Sequence, residues 1–383
     1  MSFRYSFTTL AAALVGGIAL LNNAHAFTPE TLTVEKNIAP GANVLINQAE
    51  WGAASKIHIY GQESLRYKGS VSVGLTSQIL LSHDHKTLFT LSDYLKRFTY
   101  GPAESVVQIF DLATLTEKRE IIVPTKAVKA IGMSQLLEQS ADGRYLYVQN
   151  ATPATSVTVV DLEKSAVISE IPTPGCYGII PAMEGHRFTT LCGTGVLKSY
   201  ALDGNKYQTY QSSPIFDADQ DPLYVQAERS KDGTLIIPAY SGTLYLIDDS
   251  SPTPSLVKTL DVTGGVAGNW APGGYEVISY NAAHDTVFMI VHPDAHDGSH
   301  KDPSSEIWSY SLGKEKLVAR SAAEGLIAIE TSQGNTPTLF GTHDEDESIV
   351  RYTPDTPGSL RFKEAGSDGK AGWATSLRVT GGE

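Results

Sequence analysis

The chain has 383 residues, with 42 acidic side chains against 29 basic ones and a formal net charge of −13. So acidic a balance, with no long Lys/Arg run, excludes nucleic acid and anionic membrane surfaces as natural partners. Two cysteines exclude a disulfide-dense scaffold, and the length suits either two or three small domains or one large closed ring of repeats.

Residues 1–26 place a single basic side chain, Arg4, before an apolar run over residues 10–21, and end in Ala24-His-Ala26 ahead of Phe27. That is the layout of a cleavable export signal, with small residues where a signal peptidase reads. The run of about 12 residues is shorter than the roughly 20 that a spanning helix needs, and no second run of that length follows. The alternative is an uncleaved anchor. The expected mature chain is residues 27–383, soluble, exported to the periplasm, and one charge more negative once Arg4 is gone.

The remaining chain reads as short strands. Ser140-Ala-Asp-Gly143 is a tight-turn signal, followed by two runs of β-branched and aromatic residues that end at Asp161, and by a third short strand near Val167. Such a meander has an apolar face and nothing of its own to bury it against, so it requires copies. With Val157-Thr-Val-Val-Asp161 as the marker, copies occur at Ile57-His-Ile-Tyr60, Val107-Gln-Ile-Phe-Asp111, Leu197-Lys-Ser-Tyr200, Leu244-Tyr-Leu-Ile-Asp248, Ile307-Trp-Ser-Tyr310 and Ile349-Val-Arg-Tyr352. Seven markers lie roughly 40 to 60 residues apart, the length of one four-stranded propeller blade. The pattern predicts an all-β protein, a single seven-bladed β-propeller of four-stranded antiparallel blades, in which ring closure protects the sheet edges.

Candidate chemistry is sparse. Cys176 and Cys192 flank a hairpin with its turn at Glu184-Gly-His186, and an exported chain with two cysteines favours one disulfide over two buried thiols. His292, His296 and His300 follow one another at four-residue spacing, which on a helix would share a face and could hold zinc or copper. Pro293, Gly298 and Pro303 make the stretch a loop instead, so no metal is expected there. The acidic run His343-Asp-Glu-Asp-Glu347 reads as a solvated turn; it lacks the alternating ligands and central glycine of a calcium loop. No Gly-rich phosphate loop, nucleophile elbow, Cys-x-x-Cys or His-Glu-x-x-His occurs, so no catalytic residue is expected in this chain. Trp51, Trp270, Trp308 and Trp373 stand in four unlike contexts, which argues against a propeller that holds a quinone in its own funnel.

Four separated stretches carry a resemblance. They are Val148-Gln-Asn-Ala-Thr-Pro-Ala-Thr-Ser-Val157, Gly175-Cys-Tyr-Gly-Ile-Ile-Pro181 with Leu191-Cys-Gly193, Asn269-Trp-Ala-Pro-Gly-Gly-Tyr275, and His292-Pro-Asp294 running through Gly298-Ser-His-Lys301 to Glu306-Ile-Trp308. In this order they resemble the large subunit of amine dehydrogenases, the aromatic amine branch more than the methylamine branch, in register from about residue 87 to 312. The resemblance implies a propeller without a redox cofactor of its own and a disulfide between Cys176 and Cys192. It further implies a separate small subunit that carries tryptophan tryptophylquinone and the catalytic aspartate, in an α2β2 heterotetramer. Primary amines would be oxidised to aldehyde and ammonia, with electrons passing to a periplasmic cupredoxin of azurin or amicyanin type.

One family position differs. The large subunit lends an aromatic ring to the mouth of the amine channel, in the strand before the turn that here reads Leu81-Ser-His-Asp-His85. The aligned residue is Leu75, which has no ring face for stacking or for cation–π attraction. A channel mouth of different width, suited to a different amine, is expected. Another function class fits the same residues: a stand-alone periplasmic propeller that kept the scaffold as a binding protein. A propeller hydrolase with a channel metal would need inward carboxylates on the innermost strands.

Overall fold

A computed structural model describes residues 34–369 and 371–381; the export signal expected over residues 1–26 lies outside them. From Asn37 onward the chain forms one compact unit of seven antiparallel sheets, each a blade. Among the described residues there is no α-helix, only one 3-10 turn at Ser299–Lys301. Blade 2 shows the order from the centre outward, with strands Leu75–Leu81, Thr87–Leu95, Ala103–Asp111 and Thr116–Val123. Each of the seven marker sequences falls in the third strand of its blade. Blade 6 adds a fifth short strand, Ala271–Pro272, beside Thr286–His292.

The marker recurs because the third strand is buried on both faces, and in three of the seven blades a terminal aspartate also shapes the next turn. Asp111 accepts from Thr114 N–H at 3.0 Å, Asp161 from Lys164 N–H at 3.0 Å and Asp248 from Ser250 N–H at 2.8 Å, the aspartate-turn geometry that sets the chain toward the outer strand. Turns between first and second strands share another code. In Ser140-Ala-Asp-Gly143 the Ser140 hydroxyl donates to Asp142 at 2.7 Å and accepts from Tyr145 N–H at 2.9 Å, while Gly143 takes φ 75°. His85 holds the equivalent left-handed position at φ 54° in blade 2.

The core lies between blades. Leu45, Ile57 and Ile59 of blade 1 pack on Ile79, Leu88 and Phe110 of blade 2. Tyr147, Phe188 and Tyr200 stack across blades 3 and 4 with ring centres 5.1 and 5.2 Å apart, a spacing at which aromatic pairs add to simple burial. The ring closes when the C-terminal strand Leu377–Val379 supplies the innermost strand of blade 1, pairing Leu45 with Arg378.

Because all neighbouring strands are antiparallel, connections alternate between the two faces of the ring. First-to-second and third-to-fourth turns gather on one face, the turn rim. Second-to-third loops and the links between blades gather on the other, the link rim.

Candidate functional site

The link rim holds most of the residues that the sequence singles out. Leu75, half-buried, opens the innermost strand of blade 2 directly after the blade link Gly74. Its backbone is fixed on every side: Gly74 N–H donates to Ser92 Oγ at 3.0 Å, Ser55 N–H to Gly74 O at 3.1 Å, and Thr76 N–H to Glu50 O at 2.8 Å. Only glycine fits at 74, since a Cβ there would meet Asp93 O at 2.3 Å. Beside Leu75 rise the loop 49–54, whose Trp51 is 59 % exposed, and the blade 2 loop 96–102, whose Phe98 and Tyr100 are 87 % and 64 % exposed. Exposed rings of this size on the loops of one rim are a feature that marks protein contacts, and Arg97 lies over the Tyr100 ring at 5.3 Å.

Cys176 and Cys192 face one another across the first two strands of blade 4 at the same rim and form a disulfide. The three histidines separate. His292 ends a strand with its Nε2 buried and without a partner, His296 is exposed with Nδ1 2.9 Å from Asp294 O, and His300 stacks on Tyr240 at 4.2 Å. Among the described residues no group of three or more His, Cys, Asp or Glu is placed to hold a metal ion. The acidic turn is ordered by its neighbours: Asp346 N–H donates to His343 Nδ1 at 3.2 Å, and Trp373 Nε1–H to Asp344 at 2.8 Å. Trp270 and Trp308 pack together at 5.1 Å beneath Arg320, which is paired with Glu306.

The central channel is the feature that sequence reasoning could not locate. Glu138, Glu228 and Glu330 project from the innermost strands of blades 3, 5 and 7, and Glu276 from the link into blade 6. All four act on Arg378 of the closing strand. Arg378 Nη1 donates to both oxygens of Glu276 at 2.9 and 3.2 Å, and Glu276, 1 % exposed, also accepts from Leu377 N–H at 3.1 Å. Burial pushes Glu138 and Glu330 up to about 7 and raises Glu228 well above the carboxylate range. Burial disfavours the charge on Arg378, but Glu276, Glu330 and Glu138 outweigh it and hold the guanidinium protonated beyond its ordinary range. The innermost strands are two to seven residues long and mix polar with apolar residues, so no periodicity marks them.

Fold and site together define the class: a closed seven-bladed propeller with an acid-lined channel and an aromatic rim. The model of the methylamine dehydrogenase heavy chain matches residues 43–375, nearly the whole ring. The heavy chain of Methylobacillus flagellatus is 21 % identical over 361 residues, covering 92 % of this chain and 88 % of its own. That of Methylophilus methylotrophus is 22 % identical over 323 residues, covering 82 % and 79 %. The chain belongs to the methylamine dehydrogenase heavy chain family. Among solved structures, a putative 6-phosphogluconolactonase of Bacteroides fragilis superposes with TM-score 0.61 at 11 % identity over 92 % of this chain and all of its own. A protein of unknown function from Desulfotomaculum acetoxidans gives 0.58 at 11 %, over 90 % and 100 %. At such identities these two share the fold alone.

Proposed function

We propose that this chain is the large subunit of a periplasmic, quinone-dependent amine dehydrogenase. It binds a small subunit that carries tryptophan tryptophylquinone, and it shapes the path by which a primary amine reaches that group. The observation that carries this reading is the family match over residues 43–375. The link rim supports it, because Trp51, Phe98 and Tyr100 offer exposed rings on the same rim as Leu75. We assign the small subunit to this rim, with Leu75 at the amine entrance and a heterotetramer as the assembly. The quinone, when present in the partner, supplies the oxidation of amine to aldehyde and ammonia and the release of electrons to a cupredoxin. This chain's own residues exclude water and orient the amine. The branch of amine chosen, small or aromatic, follows from the shape of the entrance at Leu75.

The test is purification through a tag on this chain from its native host, with a visible spectrum taken before and after addition of methylamine, butylamine or tyramine. The reading expects a co-purifying small chain and a quinone band that bleaches with amine. A lone colourless chain would instead favour a scaffold or binding protein.

A further inference from the structure

A cavity of about 520 Å³ opens on the turn rim at the seam between blades 7 and 1. It is lined by the lead-in to blade 1 at residues 39–42, by the third-to-fourth turn of blade 1 at residues 62–66, and by the first-to-second turn of blade 7 at residues 332–338. Its apolar lining is limited to Ala39, Pro40 and Ala42, whereas its charged lining is Arg66, Lys68 and Arg351 against the single carboxylate of Glu63. Three cations against one anion leave an excess of two positive charges, in a chain whose formal net charge is −13.

Arg351 departs from the rule of its own repeat. It is the third residue of the marker Ile349-Val-Arg-Tyr352 in the third strand of blade 7, Ile349–Pro354. In the other six markers that position holds Ile59, Ile109, Val159, Ser199, Leu246 and Ser309, each buried and uncharged. Side chains alternate along a strand, so Arg351 shares the face of Ile349, which packs with Val44, Ile46 and Tyr60 of blade 1. It is thus a cation on a face that every other blade covers with neutral groups. Its guanidinium makes no hydrogen bond or ion pair with any described residue. Its Nε is sealed from solvent, so the Nη end is what a ligand meets. Burial works against its charge and Glu63 favours it. Arg66 is exposed, and its guanidinium likewise has no partner among the described residues. Lys68, by contrast, is engaged: its ammonium donates to Pro40 O at 3.1 Å, Gly41 O at 3.0 Å and Asn43 Oδ1 at 2.6 Å, which pins the lead-in segment as a wall of the cavity.

Two guanidinium groups from neighbouring blades, both without acceptors, suit an oxyanion of charge near −2. A phosphate group carries about −1.5 to −2 at neutral pH and three strong acceptor oxygens, and guanidinium forks engage such oxygens with paired N–H donors. A lone carboxylate brings half that charge, and a hydrocarbon body finds little apolar wall to cover. We infer that this cavity binds a phosphate dianion, free or carried on a small polar body, through Arg66 and Arg351, with the Ser64 and Thr336 hydroxyls as neutral donors. The site lies on the rim opposite Leu75, and the inference stands independently of the amine-oxidising reading.

The experiment is calorimetric titration of the full chain, with its partner if one co-purifies, in phosphate-free buffer at constant ionic strength. The probes are inorganic phosphate, glycerol 3-phosphate, succinate and glycerol. At least one of the two phosphates is expected to bind at least tenfold more tightly than succinate or glycerol. Tighter binding of glycerol 3-phosphate than of inorganic phosphate supports an ester as the ligand, and equal or weaker binding supports free phosphate. Arg351→Met and Arg66→Gln should each reduce the phosphate affinity at least fivefold, whereas Arg119→Gln, on the outer strand of blade 2, should leave it unchanged. No heat from either phosphate, succinate binding as tightly as both, or an affinity that survives both Arg351→Met and Arg66→Gln would overturn the proposal. An equal loss in Arg119→Gln would show attraction to the surface at large and overturn it too. Because the Arg66 side chain is exposed and makes no contact that the fold needs, Arg66→Gln keeps the test decisive if Arg351→Met fails to fold.

Discussion

Glu138 and Glu330 have folded-state pKa values of about 7 against an ordinary 4.5. The folded chain therefore holds more protons than the unfolded chain between these values, and stability falls as pH rises through that window, by roughly 3 kcal/mol per group. Urea unfolding of Glu138→Gln across pH 4.5 to 8 should show a flatter decline than the unaltered protein; parallel curves would contradict it. Asp111 works in the opposite sense. Its hydrogen bond with Lys118 and that from Thr114 N–H hold it near 2, so its contribution is present above about 4 and lost as pH falls toward 2. At Leu75 the backbone is pinned by Ser92, Ser55 and Glu50, so Leu75→Phe changes the side chain without moving the strand. A ring there should raise kcat/KM for aromatic relative to small amines by roughly two- to tenfold, the scale of one aromatic contact. Unchanged relative rates would remove Leu75 from the entrance. These positions differ in legibility. Leu75 was approachable from sequence only by counting back from the turn at Ser82-His-Asp-His85, a count that crosses the register break between Leu75 and Gln78. The channel glutamates were not, because nothing in a two-residue strand such as Glu228–Arg229 tells which side faces the axis.

Among the elements, the hairpin of blade 4 carries the disulfide and the closing strand Leu377–Val379 completes blade 1. The disulfide Cys176–Cys192 spans a separation of 16 residues, so removing it as a Cys→Ala pair should cost roughly 3 kcal/mol by loss of the constraint on the unfolded chain. Denaturant midpoints that match with and without reductant would contradict this. The closing strand Leu377–Val379 is tied across the channel, since Glu276 accepts from both Leu377 N–H and Arg378. Arg378→Met leaves the Glu276 carboxylate buried and without its cation, at a cost of about 3 to 5 kcal/mol. Part of that loss should return at pH 5, below the range to which burial lifts Glu138 and Glu330. A variant as stable as the parent at pH 8, or one not rescued by acid, would show that the pairing of Leu45 with Arg378 closes the ring by itself. The third strands were the most legible elements, through seven terminal patterns of the Val157–Asp161 kind. The innermost strands were the least legible, because polar channel contacts replace the alternation by which strands are recognised.

At the scale of the molecule, the repeat count alone implied the propeller, since one blade has no partner for its apolar faces and seven blades bury them in one another. The ring explains why the motif-bearing stretches, far apart in sequence, reach one rim: the disulfide, the histidine loop, the acidic turn and Leu75 all sit on second-to-third loops, blade links or the strand ends beside them. Resemblance could group the disulfide, the histidine loop and Leu75 but could not choose the rim, because that choice depends on strand direction around the closed sheet. On the proposed reading, this rim seats a quinone-bearing small subunit in the amine dehydrogenase manner. The most direct measurement is the visible spectrum of the complex retrieved through this chain from its native host. A co-purifying small chain whose quinone band bleaches with a primary amine, and whose binding is lost when Phe98 and Tyr100 are changed to Ser, is the predicted result. A colourless chain that brings no partner, or a quinone partner bound equally well by the Phe98→Ser, Tyr100→Ser variant, would contradict it.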